Sequence, residues 1–457
     1  MIEFKLSELS SECGGTLRGS DLEVKAVSTD SRSCSGALFV ALTGERFDGH
    51  DFIKKAVENG AVAVVVSKDI PKCGVSVVKC ADTVRALGTC GRLVRMRSKA
   101  KVASLTGSCG KTTVKELTAG ILSKSGPTIA TSGNFNNDIG VPLTLLRLER
   151  DTRFAVIEQG ASHPHDIERT CEFVKADTAL INNAGAAHIE GFGSLRGVYE
   201  GKSEILQDVL GRGGIGAVPS DSNWTESWKS DFASAFNDGR LVTFGTHETD
   251  LVRVSSIETS QTGISFHIDV PSQNKGFDAA LPLLGTHNAM NAAAACALAL
   301  ITGAPYENLK PGLLQGAPMR GRLFMQTHGD LSLIDDAYNA SFNAVIAALD
   351  VLSNAQGQRI MVFGDMGELG SEALNLHRQV GEHARGRCDL FLCAGPLAKA
   401  AADAYGDGAE HFGSVDELIL RVEKLVSSGG KKCFLVKGSH AMGMDRVNDA
   451  VRRAGGF

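Results

Sequence analysis

The 457-residue chain lacks several features that would assign it to a membrane, a nucleic acid or an oxidising compartment. No uninterrupted apolar run approaches the roughly 18 residues of a membrane-crossing helix, so no span is expected. The N-terminus, MIEFKLSELSSE, has no basic stretch leading into an apolar one, so no secretory signal is expected. Neither charge sign dominates: 47 Lys and Arg against 52 Asp and Glu leave a net −5. That excludes a chain-wide basic surface for nucleic acid or anionic lipid. Aromatic residues make up only 6%, which argues against an aromatic-rich β-sandwich. The 11 cysteines stand without a CxxC pair. In a long chain with no secretion signal they read as reduced thiols of a cytoplasmic protein.

The remaining composition is globular, with 43% hydrophobic and 22% charged residues. Glycine is in excess at 52 of 457, about 11% against an ordinary 7% or so. That suits tight turns and backbone-lined ligand loops. At about 150 residues per domain, the length predicts about three domains.

The elements read as α/β throughout. In residues 1–98, strands are predicted at Ala37–Leu42 and Ala61–Ser67, with a helix at Asp51–Asn59. The basic stretch Arg92–Lys101 reads as a helix end and linker, and equally as a solvated helix face. Residues 99–318 alternate strands and helices, with buried parallel strands predicted at Val102–Thr106, Phe154–Glu158 and Thr178–Asn182. Leu241–Val270 suggests a small antiparallel subsheet, and a turn at Ala317-Pro318 precedes the last segment. Residues 319–457 form a second doubly wound unit with strands at Arg359–Gly364, Leu390–Ala394 and Cys433–Lys437.

Thr106-Gly107-Ser108-Cys109-Gly110-Lys111-Thr112-Thr113 follows a strand and opens a helix, the context a phosphate loop requires. Backbone N–H groups there can face an anion with the helix N-terminus behind them. Lys111 would neutralise the β- and γ-phosphates, and the Thr112 hydroxyl would ligate Mg²⁺. The spacing between the glycines is shorter than in GxxxxGK[ST], which points away from ordinary GTPases. Glu158 ends one strand and Asn182-Asn183 the next, with His188 shortly after. Polar groups at successive strand ends above a phosphate loop mark a nucleotide and metal site. On the residues alone, Lys202 reads equally as a surface lysine, and His163-Pro164-His165 as a loop rather than a metal site.

With these residues the chain resembles the ATP-dependent Mur ligases of peptidoglycan synthesis along its full length. The resemblance rests on the phosphate loop, Gly133–Pro142 (GNFNNDIGVP), Glu158–Ser162 with Asn182–His188, and Gly285–Asn288 with Asn291. Gly321-Arg322, Asp335–Asn339, Gly364–Gly370 (GDMGELG) and Val436–Ser439 add to it. The GDMGELG string favours the branch that adds D-alanyl-D-alanine over relatives that add the third peptide residue or glutamate to folates. A non-catalytic nucleotide-binding scaffold is the reading from another class.

The resemblance implies three domains: a UDP-sugar-binding α/β domain at 1–98, a central phosphate-loop ATPase with a doubly wound sheet at 99–318, and a Rossmann-like domain at 319–457. It implies UDP-N-acetylmuramoyl-tripeptide and D-alanyl-D-alanine as substrates, ATP and Mg²⁺ as cofactors, and a cytoplasmic monomer bound to neither membrane nor nucleic acid. Ser28, Thr29, Asp30, Ser31 and Arg32, with Phe47, Asp48, Gly49 and His50, would hold the uridine nucleotide. Gly107 to Thr113, Asn288, Arg322 and Asp336 would contact ATP. Thr112, Glu158, His188 and Lys202 would support the metal, Lys202 as a carbamate, and Lys111, His188 and Lys202 would be catalytic. Ser341, Phe342 and His440 depart from the family's Asn, Pro and Arg, which puts contacts of the closed third domain in question.

Overall fold

The computed structural model describes residues 1–44, 47–260, 263–315 and 323–457. The turn at Ala317-Pro318, the 318/319 boundary and Gly321-Arg322 lie outside the described residues.

Three main sheets follow one another along the chain. The first has five strands in the order Thr16–Arg18, Ser76–Lys79, Ala63–Val66, Leu38–Val40 and Val27–Ser28, parallel except for the first. Its central strands AVVV and LFV are fully buried, as β-branched runs in a covered parallel sheet should be.

The central sheet has nine strands. Lys101–Thr106 lies parallel between Phe154–Glu158 and Thr178–Ile181, so three strand ends carry their polar residues to one edge. The expected antiparallel subsheet is present and forms one end of this sheet. Leu241–Gly245 pairs in parallel with Val252–Ser260, from which Gly263–Val270 and Lys275–Leu281 continue antiparallel. The join is made where Val252 and Arg253 pair directly with Phe244 and Gly245. One face is covered by the alanine-rich helix His287–Thr302, where Ala292 to Ala297 and Ala299 are wholly buried apart from the equally buried Cys296 between them. Side chains this small let the helix lie close against the strands.

The third sheet has six strands, in the order Phe324–His328, Leu331–Asp335, Lys432–Lys437, Gln358–Gly364, Leu390–Ala394 and Ala409–Phe412. All pair in parallel except the first, an edge hairpin partner.

Arg92–Lys101 is the helix end and connection its composition suggested, the helix closing at Arg97 and the next strand opening at Lys101, but its helical part is not solvated all round. The helix Thr83–Arg97 is a shared wall, its buried residues joining the first sheet to the central one in a single core. Arg95 is buried and donates from Nε to Val174 O (3.1 Å) and from Nη2 to Lys175 O (2.9 Å) and Asp177 Oδ2 (3.1 Å). Close approach needs glycine here: a Cβ on Gly88 would come within 2.5 Å of the Phe173 ring.

Candidate active site

The phosphate loop turns on Gly110, whose φ of +76° is the left-handed conformation glycine adopts freely. The helix Lys111–Ser123 starts at the next residue, leaving its first N–H groups to face the loop. Lys111 Nζ donates to Gly107 O at 2.7 Å, folding the side chain back over the loop. Cys109 N donates to Asn183 Oδ1 (2.9 Å), and Asn182 and Asn183 each donate an amide N–H to Cys109 O at 3.0 Å. Ser108 Oγ bonds Gly185 O at 2.9 Å. Asn182 reaches Asn291 Oδ1 (2.9 Å) and Asn291 reaches Asn288 Oδ1 (2.8 Å), so the alanine-rich helix buttresses the loop. Burial pushes the Cys109 thiol up, against the lowering effect of the Lys111 charge.

Beside the loop, Thr112 Oγ1 donates to Glu158 Oε2 at 3.0 Å, and Asn136 Nδ2 donates to Oε1 at 2.8 Å. Glu158 is 2% exposed. A hydroxyl and one carboxylate at a phosphate loop suit Mg²⁺, which takes few protein ligands and completes its shell with phosphate oxygens and water. No cluster of three His, Cys, Asp or Glu able to hold a metal occurs among the described residues.

Lys202 is not a surface lysine. It is 1% exposed on the helix Leu195–Gly211, with its ammonium 5.9 Å from the Phe192 ring centroid. Burial pushes its pKa down to about 7, and the charge of Lys111 acts in the same direction. Next to it, Ser203 Oγ accepts from Trp228 Nε1 at 3.0 Å. Trp224, stacked on Tyr199 with centroids 4.7 Å apart, donates its Nε1–H to Ala184 O at 3.0 Å. His163 and His165 are exposed and pair with neighbouring carboxylates, which supports the loop reading.

The third segment closes the site. A cleft of about 790 Å³ is lined by the phosphate loop, Asn134, Asn136 to Asp138, Glu158, Asn182, His188 and Asn288 on one side. Asp336, Tyr338, Ser341, Lys437 and His440 line it from the other. His188, at φ +55°, directs Nδ1 at the Glu368 carboxylate across the cleft and lies 3.2 Å from Ser162 Oγ. The hydrogen bond to His188 holds the Glu368 carboxyl below its ordinary range. The sequence had singled out GDMGELG without seeing this crossing, because Glu368 and His188 are 180 residues apart. Asp336 pairs with Lys437, and His377 accepts Met366 N–H at Nε2 (2.9 Å) while facing Ala373 O at Nδ1 (2.6 Å). Burial holds the His377 pKa down, as an accepting ring nitrogen requires. Ser341 and His440 reach the cleft, whereas Phe342 opens the helix Phe342–Ser353 without the proline expected there.

Residues 105–299 match the Mur ligase middle domain, 321–440 the Mur ligase glutamate ligase domain, and 23–89 the Mur ligase family catalytic domain. The chain belongs to the Mur ligase family. It is 41% identical to the UDP-N-acetylmuramoyl-tripeptide–D-alanyl-D-alanine ligase of Escherichia coli K12, over the whole of both chains. It is 30% identical to the Bacillus subtilis ligase of that name over 98% of each. The MurF crystal structure from Acinetobacter baumannii superposes with a TM-score of 0.91 at 33% identity, covering 99% of both chains.

The expected uridine-nucleotide residues lie apart from this cleft. Asp30 binds the Arg32 guanidinium through Nε and Nη2. Asp48 accepts from His50 N (2.9 Å) and from Lys68 Nζ (2.6 Å), while His50 Nε2 accepts from Ser67 N (3.0 Å). Lys68 was missed because one lysine after a strand carries no pattern of its own. Arg322, an expected ATP contact, lies outside the described residues.

Proposed function

We infer that the chain is an ATP-dependent, ADP-forming ligase that joins D-alanyl-D-alanine to UDP-N-acetylmuramoyl-tripeptide in cytoplasmic peptidoglycan precursor synthesis. The observation that carries this is the cleft in which the phosphate loop, Glu158 and His188 of one segment face Asp336 and Lys437 of another. The terminal carboxylate of the tripeptide attacks the γ-phosphate of ATP, giving an acyl phosphate and ADP. The dipeptide amine then attacks that carbonyl, and phosphate leaves.

Phosphoryl transfer of this kind depends on positioning and charge neutralisation. Gly107 to Thr113 would cradle the phosphates, with Lys111 moving from Gly107 O to the nucleotide. Asn288, Arg322 and Asp336 would hold the rest of ATP. Thr112, Glu158 and His188 would hold Mg²⁺, which when bound supplies neutralisation of charge shared between phosphate oxygens. Lys202, whose lowered pKa makes the uncharged amine accessible near neutral pH, would add its amine to CO₂ and release a proton, leaving a carbamate anion able to support that metal. Ser28 to Arg32 and Phe47 to His50 would hold the uridine nucleotide, and the functional division would run 1–98, 99–318 and 319–457. Closing the cleft keeps water from the acyl phosphate.

The test is ATP-dependent phosphate release with UDP-tripeptide and each candidate amine acceptor, with an acceptor-free control. Release that D-alanyl-D-alanine does not stimulate would overturn this reading.

A further inference from the structure

Lys115 is 0% exposed and stands one turn beyond Lys111 and Thr112 on the helix Lys111–Ser123. Its Nζ lies 2.8 Å from Glu116 Oε1 and donates to Thr131 O at 2.6 Å. Burying a lysine is costly, and a methionine of similar length would fill the space without that cost. The bond it makes is therefore informative. Thr131 follows the edge strand Thr128–Ala130 and opens the loop to Asn136, Asn137 and Asp138. At a sheet edge an outward carbonyl has no strand partner, and Lys115 supplies one from beneath. Arg147 Nη1 brackets the same point from outside, donating to Ala130 O and Ser132 Oγ at 2.9 Å each.

The segment held this way has two contacts with Glu158. Thr131 Oγ1 accepts from Glu158 N at 3.0 Å, and Asn136 Nδ2 donates to Glu158 Oε1 at 2.8 Å. The carboxylate is thus fixed through its backbone and its side chain by one loop, whose first residue is tied to the phosphate-loop helix. We propose that Lys115 is a positioning residue for the reaction: by clamping the Thr131 carbonyl it sets the distance and direction of the Glu158 carboxylate relative to the Thr112 hydroxyl. The inference rests on reading Thr112 and Glu158 as the metal-facing pair.

Partners that orient a ligating carboxylate change metal affinity or activity by about 10- to 100-fold when removed. The experiment compares ADP binding by calorimetry, with and without Mg²⁺, in the full-length enzyme and in Lys115→Met, Thr131→Val, their double variant and Glu158→Gln. Lys115→Met is expected to bind metal-free ADP within about twofold of wild type while losing at least about tenfold of the gain that Mg²⁺ confers. Its kcat falls by a similar factor, and KM for D-alanyl-D-alanine stays unchanged. Lys115→Gln, which keeps an N–H donor, recovers part of the loss. Thr131→Val gives the same shift, and the double variant is no worse than the more affected single one. An unchanged Mg²⁺ gain in Thr131→Val, or effects that multiply in the double variant, overturns the relay even if Lys115→Met fails to fold. If Glu158→Gln also keeps the full Mg²⁺ gain, the metal-facing assignment itself fails. If Glu158→Gln loses the gain and Lys115→Met does not, only the relay fails.

Discussion

Lys437 Nζ lies 2.6 Å from Asp336 Oδ2, with both side chains almost wholly withdrawn from solvent. Asp336 follows the strand Leu331–Asp335 and Lys437 ends its parallel neighbour Lys432–Lys437, and Lys437 also donates to Asn339 O at 2.9 Å. The pair therefore fixes the Asp336–Asn339 turn that lines the cleft. Removing one member of a buried pair strands the other charge at about 3–5 kcal/mol. Asp336→Ala should lower the thermal midpoint of the third segment and weaken nucleotide binding, whereas Arg196→Ala, in an exposed pair, should change neither. Scanning calorimetry with an ADP titration checks this; an unshifted midpoint in Asp336→Ala would refute it.

At Gly110, alanine meets two obstacles. The φ of +76° disfavours any L side chain, and a Cβ there would sit 2.5 Å from both Asn182 Nδ2 and Asn291 Oδ1. Gly110→Ala should lose ATP affinity by roughly 10-fold or more, from strain of about 1–2 kcal/mol plus the displaced asparagines. Gly133→Ala, with φ +51° but open space, should cost only its backbone strain. Equal nucleotide affinities in the two variants would contradict the steric argument.

Lys111→Ala should reduce kcat by about 10²–10³-fold, the scale for losing one preorganised charge-stabilising donor. Folding should be spared, because the Lys111 ammonium donates to the Gly107 carbonyl within the loop itself and joins no hydrophobic core. Circular dichroism beside phosphate release tests both halves, and residual activity above a tenth of wild type would argue against a phosphate role.

His377 gives a pH dependence of definite sign. Its folded pKa lies below the ordinary value of about 6.5, so the unfolded chain takes up the proton first as pH falls. The stability it contributes is complete above about pH 6.5 and declines toward the folded pKa, by at most about 1.4 kcal/mol per pH unit. The difference in unfolding midpoint between wild type and His377→Asn should therefore shrink from pH 7.5 to pH 5.5. A difference that widens on acidification would invert the assignment.

For Lys202, bicarbonate should add the mass of one CO₂ to the native protein, and Lys202→Ala should lose most activity. A fully active alanine variant would end the carbamate proposal.

The elements most legible in the sequence were those set by local chemistry. Phe154–Glu158 and Leu390–Ala394 are found with the boundaries their apolar runs suggested, and the strand–loop–helix at Gly107–Lys111 is where glycine and lysine placed it. What escaped depended on distant partners. Arg95 sits in a stretch open to a solvated reading because its acceptors are near residue 175, and Lys115 drew no notice because the carbonyl it caps belongs to another element. The antiparallel ribbon was visible as strands, but its attachment to the central sheet depends on pairing at Phe244 and Val252 that periodicity does not encode. Likewise the Glu368–His188 crossing joins two motifs that each read as complete.

The chain has only two tryptophans, and both sit in one place: Trp224 on the Ala184 carbonyl and Trp228 on the hydroxyl beside Lys202. Native ultraviolet emission therefore reports on the central segment around Ala184 and Ser203, and no tryptophan stands in the third sheet. A binding titration followed at tryptophan wavelengths, with no label attached, would register events at the central segment alone.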